Sequence, residues 1–434
     1  MTEIKKRILL SVNLIILLLS LTTCSILSDT IQLEKEKPEP KILKLWNQWV
    51  DNSSTVTNPL ENAIREWNRK NPQIQVTEFS WNGEQYKSKI KTALAAGDAP
   101  DIFYMWSGSF VGPFIDEGNI LPLDSYLNNE TLDKLTPGVI DSCKYNGEIY
   151  SLPTYRFIAN LYCNADLFNK AGAKIPATYD ELLESVKKLR SEGIVPIVVG
   201  EKDRWPGMYW YDILAMRQAG ISACRSALKV PLLFDGQDYK KAADKLLQLV
   251  ENKAFNSDAL NTSFKDMVNE FVRGNAAMIY QGNFIESDIE AINSKVKGKV
   301  ITVPFPTIGD GKGTLKEFYG GITDGYFINA NTQYKQDAVK VLEFISEKSG
   351  KEGYLSGAGL PCWKMDGFDK FQVSSLIKQT TQLMETGTSF ISWWDTILPA
   401  ADAEKHKELV AELFDKRLSS EEFTKRMAQL RGMD

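Results

Sequence analysis

Histidine is almost absent. The 434-residue chain carries one, His406, in a charged late segment. That scarcity sets aside histidine-dependent acid–base catalysis and histidine-ligated zinc. Positive charge is also in short supply, with 51 Lys and Arg against 56 Asp and Glu and a net charge of −5. Such a balance argues against nucleic acid as a partner. Long hydrophobic runs are missing except for Ile8 to Leu21, which Ser11, Asn13 and Ser20 interrupt. That run is short for a membrane span and follows Lys5, Lys6 and Arg7, which is secretory-signal architecture. There is no solenoid-type repeat. No catalytic residue, cofactor or metal is expected.

Five cysteines are present. The first, Cys24, closes the signal-like segment as Leu21-Thr22-Thr23-Cys24, which resembles a bacterial lipoprotein lipobox. The resemblance implies acylation of Cys24 and a lipid anchor. Residues up to Pro40, including Glu-Lys-Glu-Lys-Pro-Glu-Pro, have linker composition. Of the other four, Cys143 and Cys163 flank a hairpin and could meet in a disulfide, or all four could be buried thiols.

What the chain does have is a recurring pattern, clearest at Gly97-Asp-Ala-Pro-Asp-Ile-Phe-Tyr-Met-Trp106. A helix-compatible run from Tyr86 to Ala96 stops at Gly97, and Pro100 bars its continuation. Ile102 to Tyr104 then reads as a buried strand ending near Trp106. Upstream, a strand over Lys41–Trp46, an amphipathic helix over Pro59–Lys70 and a strand over Ile74–Phe79 complete a β-α-β-α-β order. This order predicts a doubly wound parallel sheet, with ligands beyond the carboxyl ends of its strands. The length calls for more than one core. Later segments repeat the theme, with a capping box at Thr178–Glu181, a strand over Ile194–Gly200 and an aromatic cluster of Trp205, Tyr209, Trp210 and Tyr211.

Aromatic residues recur where strands end, at Trp49, Trp81, Trp106, Trp205 and Phe284. Gln48, Asp203, Gln281, Asn283 and Asp324 lie beside them. Ring faces next to planar hydrogen-bonding groups suit a neutral sugar, whose C–H faces are apolar and whose hydroxyls take paired hydrogen bonds.

Several segments together resemble the extracellular solute-binding proteins of bacterial ABC importers, in the sugar-binding class. They are Ala95–Asp101, Gly118–Asp124, Tyr145–Pro153, Tyr162–Phe168, Phe271–Met278, Gly320-Gly321 and the late Leu-Ser-Ser-Glu-Glu-Phe. The resemblance implies an α/β, type II-like periplasmic-binding-protein fold, two doubly wound lobes joined by a hinge of three crossings. Those crossings fall near Tyr155–Asn160, Phe318–Gly325 and Pro361–Asp366. Residues 1–23 become a lipoprotein signal peptide and 24–40 a lipidated tether. Residues 41–156 with 322–360 form an N-terminal lobe, and 157–321 with 361–434 a C-terminal lobe. The expected ligand-binding set is Gln48, Trp49, Trp106, Tyr155, Arg156, Trp205, Tyr209, Trp210, Phe284, Gly321, Asp324, Trp363 and Trp394 or its neighbour Trp393. The implied partners are a carbohydrate, ABC permease subunits with their ATPase, and the outer face of the membrane through the lipid. The protein itself is expected to be a monomer.

Two other readings use the same residues. A polyamine would want Asp203, Asp212 or Asp324 among the rings, and an acidic sugar would want Arg156 or Arg204. A secreted glycosidase would need two carboxylates flanking the bond, and no spacing marks such a pair. Gly309–Thr314 faintly resembles a phosphate loop but lacks the Gly-Lys-Ser/Thr order, so it reads as a surface turn.

Overall fold

Alternation in Lys41–Asn47 (β1) sends Leu43 and Leu45 into the interior. This strand begins a computed structural model that describes residues 39–49, 58–366 and 373–432. The expected signal peptide, Cys24 and most of the tether lie outside the described residues. Asn58 caps Pro59–Lys70 (α1) by accepting from the Leu60 N–H, and Leu60, Ala63, Ile64 and Trp67 form its buried stripe. Burying a side chain such as Leu60 or Ile64 contributes about 1.5–3 kcal/mol. Ile74–Ser80 (β2) pairs parallel with β1 in register from Lys41↔Ile74 to Asn47↔Ser80. Gly83–Ala95 (α2) buries Tyr86, Ile90 and Leu94, and Ile102–Trp106 (β3) lies on the other side of β1.

Ser151–Leu152 (β4) still belongs to this first sheet, whereas the long Tyr155–Asn164 strand (β5) organises the second. There follow Tyr179–Ser191 (α3), Val195–Ile197 (β6), Trp205–Ala219 (α4), Gln237–Glu251 (α5) and Ala276–Gly282 (β7). Val300–Val303 (β8) and Glu317–Gly321 (β9) pair with β5 before Asp324–Ile328 (β10) returns to the first sheet. Lys335–Ser356 (α6) packs on α1. Leu360–Pro361 (β11), Ser375–Thr386 (α7), Ser389–Ile391 (β12), Ala400–Phe414 (α8) and Ser420–Met427 (α9) complete the chain. The two sheets run β2-β1-β3-β10-β4 and β12-β9-β5-β7-β6.

Each sheet has its own core, one around Leu43, Phe103 and Leu342, the other around Leu161, Trp210 and Leu413. This is the expected two-lobe α/β fold, with one change of detail: the sheets are mixed. β10 runs antiparallel to β3, and β5 runs antiparallel to β7, β8 and β9. The parallel order holds where a helix returns the chain, as through α1 and α2. A strand that arrives from the other lobe has no such crossover and enters in the opposite sense.

The chain leaves the first sheet after Leu152 and re-enters it between Gly321 and Asp324. Gly320 shows why glycine is required at this second passage. Its φ is +134°, and a Cβ there would lie 2.2 Å from the Phe157 carbonyl oxygen. The third passage involves Leu360 to Trp363. Leu360 and Pro361 pair with Arg156 and Tyr155 on β5, whereas Cys362 and Trp363 pack in the first core, where the Cys362 carbonyl accepts from the Thr136 N–H. Val373 clusters with Ile158, Phe318, Tyr354 and Leu360 beside these passages. The indole N–H of Trp363 reaches the Pro153 carbonyl inside the first core, 2.9 Å away.

Cys143, Cys163, Cys224 and Cys362 are all free and buried. The expected option of a Cys143–Cys163 bridge is not realised. Burial pushes the Cys143 thiol up to about 12 and raises the other three as well.

Candidate functional site

The carboxyl ends of β1 and β3 and the first residue of β10 meet at one edge of the first sheet. Asp324 is the register partner of Trp106, and Tyr326 of Tyr104. Beyond β1 the chain bends so that the Trp49 N–H donates to Asn47 Oδ1 (2.6 Å), while Asn47 Nδ2 donates to Glu78 (2.6 Å). This anchors the end of β1 and leaves Trp49 36% exposed, edge-on to Tyr104 at 5.7 Å. Tyr104 also packs edge-on against Trp106 (5.3 Å) and Tyr326 (5.7 Å). Below them the Tyr86 hydroxyl donates to the Tyr104 carbonyl at 2.6 Å, tying α2 to β3.

Asp324 sits among these rings, 8% exposed. It accepts from Thr323 Oγ1 (3.1 Å) and interacts with the Tyr104 hydroxyl. Burial outweighs both contacts and pushes its carboxyl up to about 6.

The opposing wall starts at Arg204, whose φ of +68° puts a non-glycine residue in the left-handed region just before α4. The next residue, Trp205, is half-buried. Its ring meets Tyr209 at 5.3 Å, Phe264 at 4.8 Å and Phe284 at 6.3 Å. Asp203 helps fix this group by accepting from the Phe264 N–H at 2.7 Å. One turn along α4, Tyr209 stacks on Trp393 at 4.7 Å with 19° between planes, and both rings stand edge-on to Tyr319. Phe284 reaches Phe157 on β5. Burial raises the Tyr209 hydroxyl well above its ordinary value, and the carboxylates of Asp395, Asp212 and Asp324 add to that rise.

Behind the second wall lies the histidine. His406 is fully buried on α8, with Nε2 2.7 Å from Asp212 Oδ1 and Nδ1 3.2 Å from Met427 Sδ. The Tyr319 hydroxyl donates to Asp212 Oδ2 at 2.6 Å and accepts from the Trp394 N–H at 2.9 Å. Asp212 is three residues after Tyr209, on the same face of α4. One hydrogen-bonded chain thus fixes α4, α8, β9 and the Trp393–Trp394 turn. Burial raises the Asp212 carboxyl, and His406 and Tyr319 oppose that rise.

The lobes also touch at the rim. Ser109 Oγ donates to the Thr396 carbonyl (3.0 Å) and to that of Leu398. Gly108, at φ +73°, allows the approach, since a Cβ there would stand 2.4 Å from the Thr396 oxygen. Burial lowers the Lys91 ammonium on α2, with Glu404 opposing and Lys407 adding to that fall, so charged residues of α2 and α8 lie near one another at the rim.

Of the residues expected at a site, Gln48, Trp49, Trp106 and Asp324 gather on the first wall. Trp205, Tyr209 and Phe284, with Trp393, gather on the second. Tyr155, Arg156 and Gly321 lie at the passages between lobes: the Tyr155 hydroxyl donates to the Ser349 carbonyl, Arg156 pairs with Leu360, and Gly321 with Phe157. Trp210, Trp363 and Trp394 are at most 1% exposed. Phe255, Tyr280 and Phe305 surround Trp210, and Tyr211, Phe234 and His406 surround Trp394. These three indoles are core. Gln281 and Asn283 accept from the hinge N–H groups of Gly282 and Ile158 and are buried too. Sequence reasoning missed Tyr104, Phe264, Ser109 and the role of Asp212. Tyr104 was recoverable, because it alternates with Trp106 on one face of a strand.

The model of a family described as bacterial extracellular solute-binding protein matches residues 51–352. A multiple sugar-binding protein of Streptococcus mutans is 23% identical over 345 residues, 75% of this chain and 76% of its own. A solved structure from work on xylan utilization by the thermophilic bacterium Caldanaerobius polysaccharolyticus superposes with a TM-score of 0.86. It is 38% identical and covers 89% of this chain and 99% of its own. A chitin oligosaccharide binding protein superposes with a TM-score of 0.78 at 22% identity, covering 90% of this chain and 98% of its own.

Proposed function

This chain belongs to the family of bacterial extracellular solute-binding proteins, and from that premise we propose that it captures a neutral oligosaccharide between its lobes for an ABC importer. It is a binding protein rather than an enzyme. The observation that carries the ligand class is a group of aromatic rings on each lobe, Trp49, Tyr104 and Trp106 on one and Trp205, Tyr209 and Phe284 on the other, with Asp324 among the first group. Sugar C–H faces lie on the rings, and Asp324 and Gln48 take hydroxyls. Trp210, Trp363 and Trp394 support the walls from within the core.

Closure around the ligand brings Ser109 to the Thr396–Leu398 turn. The sugar shifts the equilibrium because only the closed form offers both walls at once. The lobes divide near the three passages described, with 41–156, 322–364 in one and 157–321, 373–432 in the other. Acylation of Cys24 would hold a monomer at the outer face of the membrane beside its permease and ATPase. Likeness to the protein from xylan utilization makes xylo-oligosaccharides the first ligands to try.

The test is thermal unfolding of the purified protein against xylo-, malto- and chito-oligosaccharides, uronic acids and polyamines. A ligand at about 100 times its Kd adds about 2.7 kcal/mol, a shift of several degrees. A shift with a neutral oligosaccharide, recovered unaltered, supports the proposal. A shift with polyamines alone overturns the ligand class in favour of a cation held by Asp324, whose place among rings is the one feature that suits it.

A further inference from the structure

The aromatic band of the first lobe does not stop at the cleft. From Trp106 the rings run through Tyr86 (6.2 Å) to Trp81 (6.5 Å) and on to Phe79 (6.5 Å), where the last two lie within 15° of parallel. Trp46 braces Trp81 from the side at 4.8 Å. Phe79 is 42% exposed, on the edge strand of the sheet. Beside Trp81 opens a groove of about 500 Å³, lined by Trp81, Glu84, Gln85, Ser88 and Lys89. Gln48, at the end of β1, lies against Gly83 at the start of α2, which ties the groove to the first wall of the cleft.

We propose that this groove is an outer subsite, in which Phe79 and Trp81 carry the part of an oligosaccharide that extends past the cleft. The inference rests on the oligosaccharide reading above. An exposed ring stacked on a second ring offers an apolar face of the size of a sugar ring. Gln85 and Ser88, one turn apart on α2, face the same groove and supply an amide and a hydroxyl for sugar hydroxyls. The lining carries one carboxylate, Glu84, and one ammonium, Lys89, so its formal charge is zero. That balance favours a neutral chain over a charged ligand. The subsite makes affinity depend on chain length, and it leaves the chain end outside the closed lobes.

Calorimetric titration of the intact protein and of Phe79→Ala and Gln85→Ala, each with a xylo-oligosaccharide series from disaccharide to hexasaccharide, tests this. Both positions are at the surface, so both variants fold. The expected result is unchanged disaccharide affinity and roughly fivefold weaker hexasaccharide binding in Phe79→Ala, with a smaller loss in Gln85→Ala. Equal affinities for wild type and variants at every length overturn the outer subsite alone. So does an equal loss at every length. Failure of the wild-type protein to bind any member of a xylo-, malto- or chito-oligosaccharide series overturns the oligosaccharide reading, and the subsite with it.

Discussion

The two walls of the cleft are built on different principles. The first is held by rings on rings: Trp49, Tyr104, Trp106, Tyr86 and Trp81 contact one another edge-on, tilted or stacked, with lysines from α2 lying over the rings of Trp106 and Trp81. The second is held from behind by a buried hydrogen-bonded chain, His406–Asp212–Tyr319–Trp394. Ring contacts are many, weak and tolerant of small shifts. A buried hydrogen-bonded network is intolerant, because each polar partner left alone pays its desolvation cost. The second wall is therefore the fixed template, and the first adjusts to what lies on it.

The strongest way to break that contrast is His406→Ala. It leaves Asp212 buried beside Tyr319 alone, and stability is expected to fall by about 1–3 kcal/mol. Chemical denaturation measures it. His406→Gln, which keeps a donor, should recover part of the loss. An effect below about 1 kcal/mol would mean that the second wall is no more rigid than the first.

Next in size is Asp324, the first wall's own buried carboxylate. Its pKa is raised on folding, so the native state holds the proton more tightly than the unfolded chain. Stability from this group is then present at low pH and is lost as pH rises from about 4 to about 6. Asp324→Asn should stabilise the ligand-free protein at pH 7.5 by up to about 3 kcal/mol and have little effect at pH 4. It should also weaken sugar binding. Melting curves at the two pH values check the sign, and equal shifts at both would remove the carboxylate's burial as the cause.

Smaller again, Tyr209→Phe keeps the ring stacked on Trp393 and should leave affinity within about threefold, whereas Tyr209→Ala should cost about tenfold or more. Equal losses for the two would shift the weight from ring to hydroxyl. The smallest effect expected is that of Ser109→Ala at the rim. Losing its hydrogen bonds costs the closed form about 1 kcal/mol, a roughly fivefold drop in affinity with unchanged stacking. Small-angle scattering with and without ligand would detect a more open ligand-free ensemble.

Much of the first lobe could be read from the sequence because its signals are local. The stripe of Leu60, Ile64 and Trp67, the stop at Gly97 (φ +72°) and the Asn146-Gly147 hairpin are present as expected, and in the second lobe so is the capping box at Thr178 and Glu181. α4 was not legible as a helix, because all its residues after Trp205 are buried. A helix apolar all round shows no periodicity to read. His406 misled for a related reason. Its neighbours are charged, yet its partner Asp212 lies 194 positions away, and only the tertiary fold brings them together. The same holds for the tryptophans. The chain shows where indoles follow strands, but which are covered depends on helices from the far end of the sequence. Trp394 is buried by α8 and Trp210 by Phe255 and Phe305, while Trp49 stays open.

The four buried thiols have a practical corollary. Towards alkylating dyes, the described residues behave as a cysteine-free surface, since thiolate forms poorly at every one of the four. A cysteine introduced at each side of the rim, near Ser109 and near Ala400, would take a donor and an acceptor dye without removing any native residue of the core. The distance between the dyes would then report the opening and closing of single molecules as sugar comes and goes.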